Sequence, residues 1–128
     1  MFQEQNRSDI AAEFFLQISK LNPSDKQYFG ENEYCIDFDN AKTYFPDYID
    51  LNKFKIIEFY GDFWHANPLK YNADKKIFEK TAQEIWDHDK QRIDKLNNLG
   101  YNVLIIWENE YRKNPEYFIQ KAIKFLNE

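Results

Sequence analysis

The chain has 128 residues, a formal net charge of −5 and an aromatic content of 19%, enough for one real core and far too aromatic for a disordered linker. No apolar run approaches the ~20 residues of a membrane span, and the first residues lack the basic and apolar regions of a signal peptide. A lone cysteine, Cys35, excludes an intrachain disulfide framework and a multi-cysteine zinc site. The expectation is one cytosolic domain over residues 1–128. Charge is uneven: residues 1–52 carry four Lys/Arg against ten Asp/Glu, residues 53–128 thirteen against twelve. That balance argues against a protein that simply coats nucleic acid. It leaves room for a metal enzyme, because a cation offsets carboxylates near a phosphate.

From Ser8 to Leu21 the apolar residues Ile10, Phe14, Ile18 and Leu21 recur at helical spacing, with Ser8 as cap and Asn22-Pro23 as the stop. Glu13 lies off that stripe and reads as solvated. Two short strands are expected near 33–38 and 43–49, joined through Asp39-Asn40-Ala41-Lys42. Pro46 suits an edge or a bulge, so Asp47 begins where regular pairing is disturbed. Asp50-Leu51-Asn52-Lys53 turns into the next strand, and the three strands make an antiparallel meander.

That third strand is the centre of the chain. Phe54 to Tyr60 is an apolar run ended by Gly61, which reads as a strand buried on both faces. Glu58 sits in its middle, where an unpaired carboxylate costs several kcal/mol or gives up its charge. A divalent cation and a structural ion pair are the two ways to satisfy it. Asp62 and His65 follow the glycine, with the aromatics Phe63 and Trp64 between them. Residues 66–76 form a polar loop, and Asn67, Lys70, Lys75 and Lys76 are its candidate DNA contacts. Residues 77–99 are expected to be the longest helix, closed by Gly100. Phe78, Ala82, Ile85, Ile93 and Leu96 share its inward face, and Asp89 falls in the middle of them. A carboxylate there needs a partner. His65 gives a catalytic arrangement, an imidazole fixed by an aspartate; Arg92, a further candidate DNA contact, gives a structural bond instead. Asn102 to Trp107 reads as a buried strand parallel to its neighbour. Asn114 and Pro115 start the last helix, with Phe118, Ala122 and Phe125 inward. The order predicts an α/β/α sandwich around a mixed sheet of about four strands.

Asp47 and Glu58, on adjacent antiparallel strands, are a candidate pair of Mg²⁺ (or Mn²⁺) ligands, with waters and a phosphate completing the shell. His65 oriented by Asp89 would handle the proton, which fits phosphodiester hydrolysis. Neither a serine nucleophile with its base nor a glycine-rich phosphate loop is in the sequence.

Phe45-Pro46-Asp47, Ile56 through His65, Asp89 to Arg92 and Gly100 through Glu108 resemble the very short patch repair endonucleases. They resemble still more the EDxHD homing endonucleases of phage and mobile-intron genes, both within the PD-(D/E)XK nuclease superfamily. The resemblance implies a restriction-endonuclease-like fold and a metal-dependent endonuclease acting on double-stranded DNA in a bacterial or phage-infected cell. It implies a metal-binding Asp47 and its acidic partner Glu58, a catalytic His65–Asp89 pair, and Asp62 as part of the homing signature. Glu13 matches a first-helix glutamate near the repair enzymes' active site, and Phe63 and Trp64 match aromatics that wedge between base pairs. At least one of those two is expected in the core. Tyr60 stands where the superfamily's lysine would, and the repair enzymes' zinc cysteines are absent, which favours the homing branch over mismatch nicking. The length implies a DNA-recognition module outside this chain, or a homodimer. A catalytically silent DNA-binding module of the same fold, and an interaction domain using the acidic half, are the rival readings.

Overall fold

The computed structural model describes residues 2–38 and 42–128, with side chains described from Asp9 onward. The chain runs α1 (Phe2–Leu21), β1 (Gln27–Phe29), β2 (Ile36–Asp37), β3 (Thr43–Tyr44), β4 (Tyr48–Asp50) and β5 (Lys55–Tyr60). It continues with β6 (Lys76–Ile77), β7 (Lys80–Thr81), α2 (Ala82–Asn98), β8 (Asn102–Trp107), α3 (Glu108–Lys113) and α4 (Pro115–Leu126). The fold is mixed α/β, built on a four-stranded sheet of order β1-β4-β5-β8. β1, β4 and β5 pair antiparallel, and β8 lies parallel to β5 after the α2 crossover.

Alternation along β5 sorts the two layers. Ile57 and Phe59 face a core with Phe14, Phe15 and Ile18 of α1, Tyr111 of α3 and Ile119, Ala122 and Leu126 of α4. Ile56 faces the other way, with Ile49 and Leu96 of α2. Glu58 and Tyr60 share that second side by the same alternation. The sheet thus carries helices on both faces. Among the described residues no helix is long and apolar enough to cross a membrane.

Several expectations are corrected. The first helix begins at Phe2, so Ser8 is inside it and not its cap, and Leu21 is 57% exposed while Ala11 and Phe15 are buried instead. The meander forms differently: Gln27–Phe29 supplies the first strand of the sheet, and residues near 33–38 do not join it. The stretch 43–49 is divided at Pro46, which has no N–H to give a ladder. Its first part pairs with Ile36–Asp37 in a separate two-stranded hairpin, and its second part enters the sheet. Of the expected connection, Asp39, Asn40 and Ala41 lie outside the described residues. The long helix begins at Ala82, because Lys76 to Thr81 make a small hairpin. Thr81 then caps the helix in a reciprocal pair with Glu84. Phe78, assigned to the inward stripe, is 71% exposed at the hairpin tip with a left-handed φ of 60°. Gly100, with φ of 100°, ends the helix in the position expected of it. β8 is an edge strand, so only Ile106 of its six residues is buried. On α4 the fully inward residues are Ile119, Ala122 and Leu126; Phe118 and Phe125 pack at the margin.

Candidate active site

The register of β4 against β5 pairs Tyr48 with Ile57, so Asp47 arrives beside Glu58. Pro46 ends the ladder there, and the Asp47 carboxylate takes over part of its work: Phe59 N–H donates to Asp47 Oδ2 at 2.8 Å. Glu58 is 3% exposed, and its carboxyl is pushed well above the usual range by burial first and by the Asp47 charge second. Hydrogen bonds tie it to Asp47 and to the Tyr44 hydroxyl. Two carboxyls in contact without water cannot both ionise, and Glu58 is the one that keeps a proton. Its Oε2 has no hydrogen-bond partner among the described residues, an orphaned acceptor in a buried acidic pair.

Helix α2 contributes the other half. Its inward turn carries Ile85, Asp89 and Arg92 toward the side of β5 that bears Glu58 and Tyr60. His65 Nδ1 and Asp89 Oδ2 are 2.8 Å apart. An ionised carboxylate only accepts, so Nδ1–H donates and Nε2 is left to take or give a proton. The imidazole is held twice, since it also stacks on Tyr60 with centroids 3.7 Å apart and planes within 3°. Arg92 donates to Asp89 Oδ1 at 3.1 Å and to the Tyr60 hydroxyl at 2.9 Å. Its guanidinium also lies over the Tyr44 ring, 5.3 Å from the centroid. Burial pushes the Tyr60 phenol up, so it stays neutral and cannot serve as a base. Arg92 thereby connects the Tyr44–Glu58–Asp47 group to the Tyr60–His65–Asp89 group.

The remaining expected residues are placed differently. Asp62 is turned into its own loop, where Asn67 Nδ2 donates to Oδ1 at 2.8 Å and Lys70 Nζ stands 3.5 Å from Oδ2. Asn67, expected as a DNA contact, is 2% exposed and committed to that loop, with its Oδ1 accepting from Leu69 N–H. Lys70, Lys75 and Lys76 are exposed. Glu13 is exposed on α1, which packs on the Ile57–Phe59 side, away from Glu58. Its charge acts on Tyr111, whose phenol is raised by burial and then by Glu13. Neither Phe63 nor Trp64 enters a core cluster. Phe63 is 39% exposed, and Trp64 stacks under Phe78 at 5.2 Å. Sequence reasoning missed Tyr44, whose signal was its place three residues before Asp47 across the proline. It also missed Trp86, which pins the loop by donating to the Ala66 carbonyl at 2.6 Å.

Asp47 and the orphaned Glu58 oxygen fit a hard divalent cation, which takes oxygen ligands and retains waters. Among the described residues no three His, Cys, Asp or Glu side chains form a ready-made metal cage. A cation held by this pair would draw its other ligands from water and substrate. No protein-family model, curated protein or solved structure matches the chain.

Proposed function

We propose that the chain is a metal-dependent endonuclease domain that hydrolyses phosphodiester bonds in DNA, of the homing type its motifs resemble. One observation carries this reading: a buried carboxyl pair, Asp47 and Glu58, shares one side of the sheet with an imidazole fixed by Asp89. Burying such a group is costly, and a fold that needed only stability would be better served by apolar residues. Asp47 and Glu58 are the Mg²⁺ ligands in this reading. When bound, the cation supplies Lewis acidity and offsets the charge that develops at phosphorus. Asp89 fixes the tautomer of His65, whose Nε2 accepts a proton from the attacking water or returns one to the leaving oxygen. Arg92 keeps Asp89 charged and in place, and Tyr60 keeps the ring plane. The exposed Lys70, Lys75 and Lys76 supply phosphate contacts.

Two observations favour a second reading, a silent DNA-binding module. Arg92 already brings a cation toward Glu58, and Tyr60 stands in the place of the superfamily's lysine. A plasmid-nicking assay with Mg²⁺ against EDTA separates the two. The nuclease reading predicts nicking that requires Mg²⁺ and disappears in Asp47→Ala and Glu58→Gln. Binding of plasmid without any nicking selects the silent module and rejects the enzyme.

A further inference from the structure

Beside the His65–Asp89 pair lies a cleft of about 340 Å³ that the proposed chemistry does not use. Trp64, Ile77, Phe78 and Ile85 give it an apolar and aromatic lining, and Lys80 and His88 add cationic groups against the single charge of Glu79. Its volume is at the small end for ligand pockets and suits one nucleoside-sized group.

Two independent features mark it as a place for a ligand. The Trp64 indole N–H is buried and has no acceptor among the described residues, whereas the nearby Trp86 indole is satisfied. Buried donors are normally paired, so the cleft holds a donor that lacks its partner. The second feature is Phe78. It is 71% exposed, held at a left-handed φ of 60° that a phenylalanine rarely adopts, and stacked on Trp64 with the planes 21° apart. A strained, solvent-facing aromatic on a second aromatic already has the geometry of base stacking.

Resting on the nuclease reading above, we infer that this cleft binds a single unpaired nucleobase next to the cleaved phosphate. The preferred substrate is then DNA with a nucleotide turned out of the stack, not an uninterrupted duplex. A base within a duplex is covered on both faces by its neighbours and cannot enter; one turned out of the helix can. The base stacks against the Trp64–Phe78 pair and accepts the indole hydrogen bond. Lys80 and His88 meet its phosphates. Because His65 lines the same cleft, the flanking phosphodiester comes to the imidazole.

The test is a binding comparison with EDTA present, so that it does not depend on cleavage. Fluorescence anisotropy is measured for a labelled, fully paired duplex and for the same duplex carrying one unpaired nucleotide. The unpaired nucleotide should tighten binding about tenfold or more and quench tryptophan emission. Trp64→Leu and Phe78→Ala should both lose the preference; Phe78 is exposed, so its replacement does not threaten the core. Equal affinity for the two duplexes overturns the inference, and so does a preference that survives in both variants. Parallel incubation with Mg²⁺ keeps the two readings apart. Equal binding with Mg²⁺-dependent cleavage of both duplexes sinks the cleft and leaves the nuclease, while a preference without any cleavage does the reverse.

Discussion

Burial and the neighbouring Asp47 charge both push the Glu58 carboxyl upward, so Glu58 holds its proton at pH values where the unfolded chain has released it. The sign follows from linkage: its contribution to stability is complete below the unfolded value near 4.5 and is lost as pH rises toward the folded value. Each pH unit of that interval costs about 1.4 kcal/mol. Glu58→Gln should therefore stabilise the metal-free protein at neutral pH by about 1 kcal/mol or more, while removing nicking. Urea unfolding from about pH 4 to about pH 8 checks this, and equal slopes for the two proteins would contradict it. At the second half of the site, Asp89→Asn should cut the single-turnover rate by about a hundredfold or more with DNA affinity unchanged. It should also cost about 1–3 kcal/mol, because Arg92 loses its anionic partner. Asp47, Glu58, His65 and Asp89 were legible in the sequence because a charge inside an apolar pattern admits few solutions. Tyr44 and the Arg92–Tyr60 bond were not, since they depend on how a hairpin folds over the sheet. Asn67 was misplaced for the opposite reason: a polar residue in a polar loop reads as surface, yet its amide closes the loop around Asp62.

Thr81 and Glu84 decide where α2 begins. Thr81 Oγ1 accepts from the Glu84 N–H, and the Glu84 carboxylate accepts from the Thr81 N–H at 2.8 Å. Thr81→Ala should destabilise the fold by about 1 kcal/mol, measured as a lower urea midpoint with an unchanged slope. It should also loosen the hairpin that carries Phe78. The Thr-x-x-Glu signal was present in the sequence, but Ile77 and Phe78 extend the apolar stripe by chance and hid it. Pro46 was read correctly as a disturbance of pairing; that it would divide one strand between two sheets needed the tertiary contacts of Tyr44. The three residues of β1 are too few to show alternation, and three residues is also all that the sheet needs from them.

Across the molecule, the sheet order and the placement of α2 bring the two halves of the site to one side of β5. Mixed α/β character, the parallel pairing of the strand at 102–107 and the four-strand count were all readable, because a helix between two apolar strands implies a crossover. The burial of that strand was not, since the sequence cannot say that β8 ends the sheet. Phe59 packs against Phe14 and Tyr111 with centroids 5.8 and 5.7 Å apart. Phe59→Ala should cost about 3–5 kcal/mol in urea unfolding, on the side of the sheet away from the carboxyl pair. The whole account rests on that pair receiving a cation. The most direct measurement is anomalous scattering from a crystal soaked in Mn²⁺. The account predicts a peak within coordinating distance of both the Asp47 and Glu58 carboxylates. It is contradicted if those carboxylates show no peak and the Arg92 guanidinium closes against Glu58 in its place.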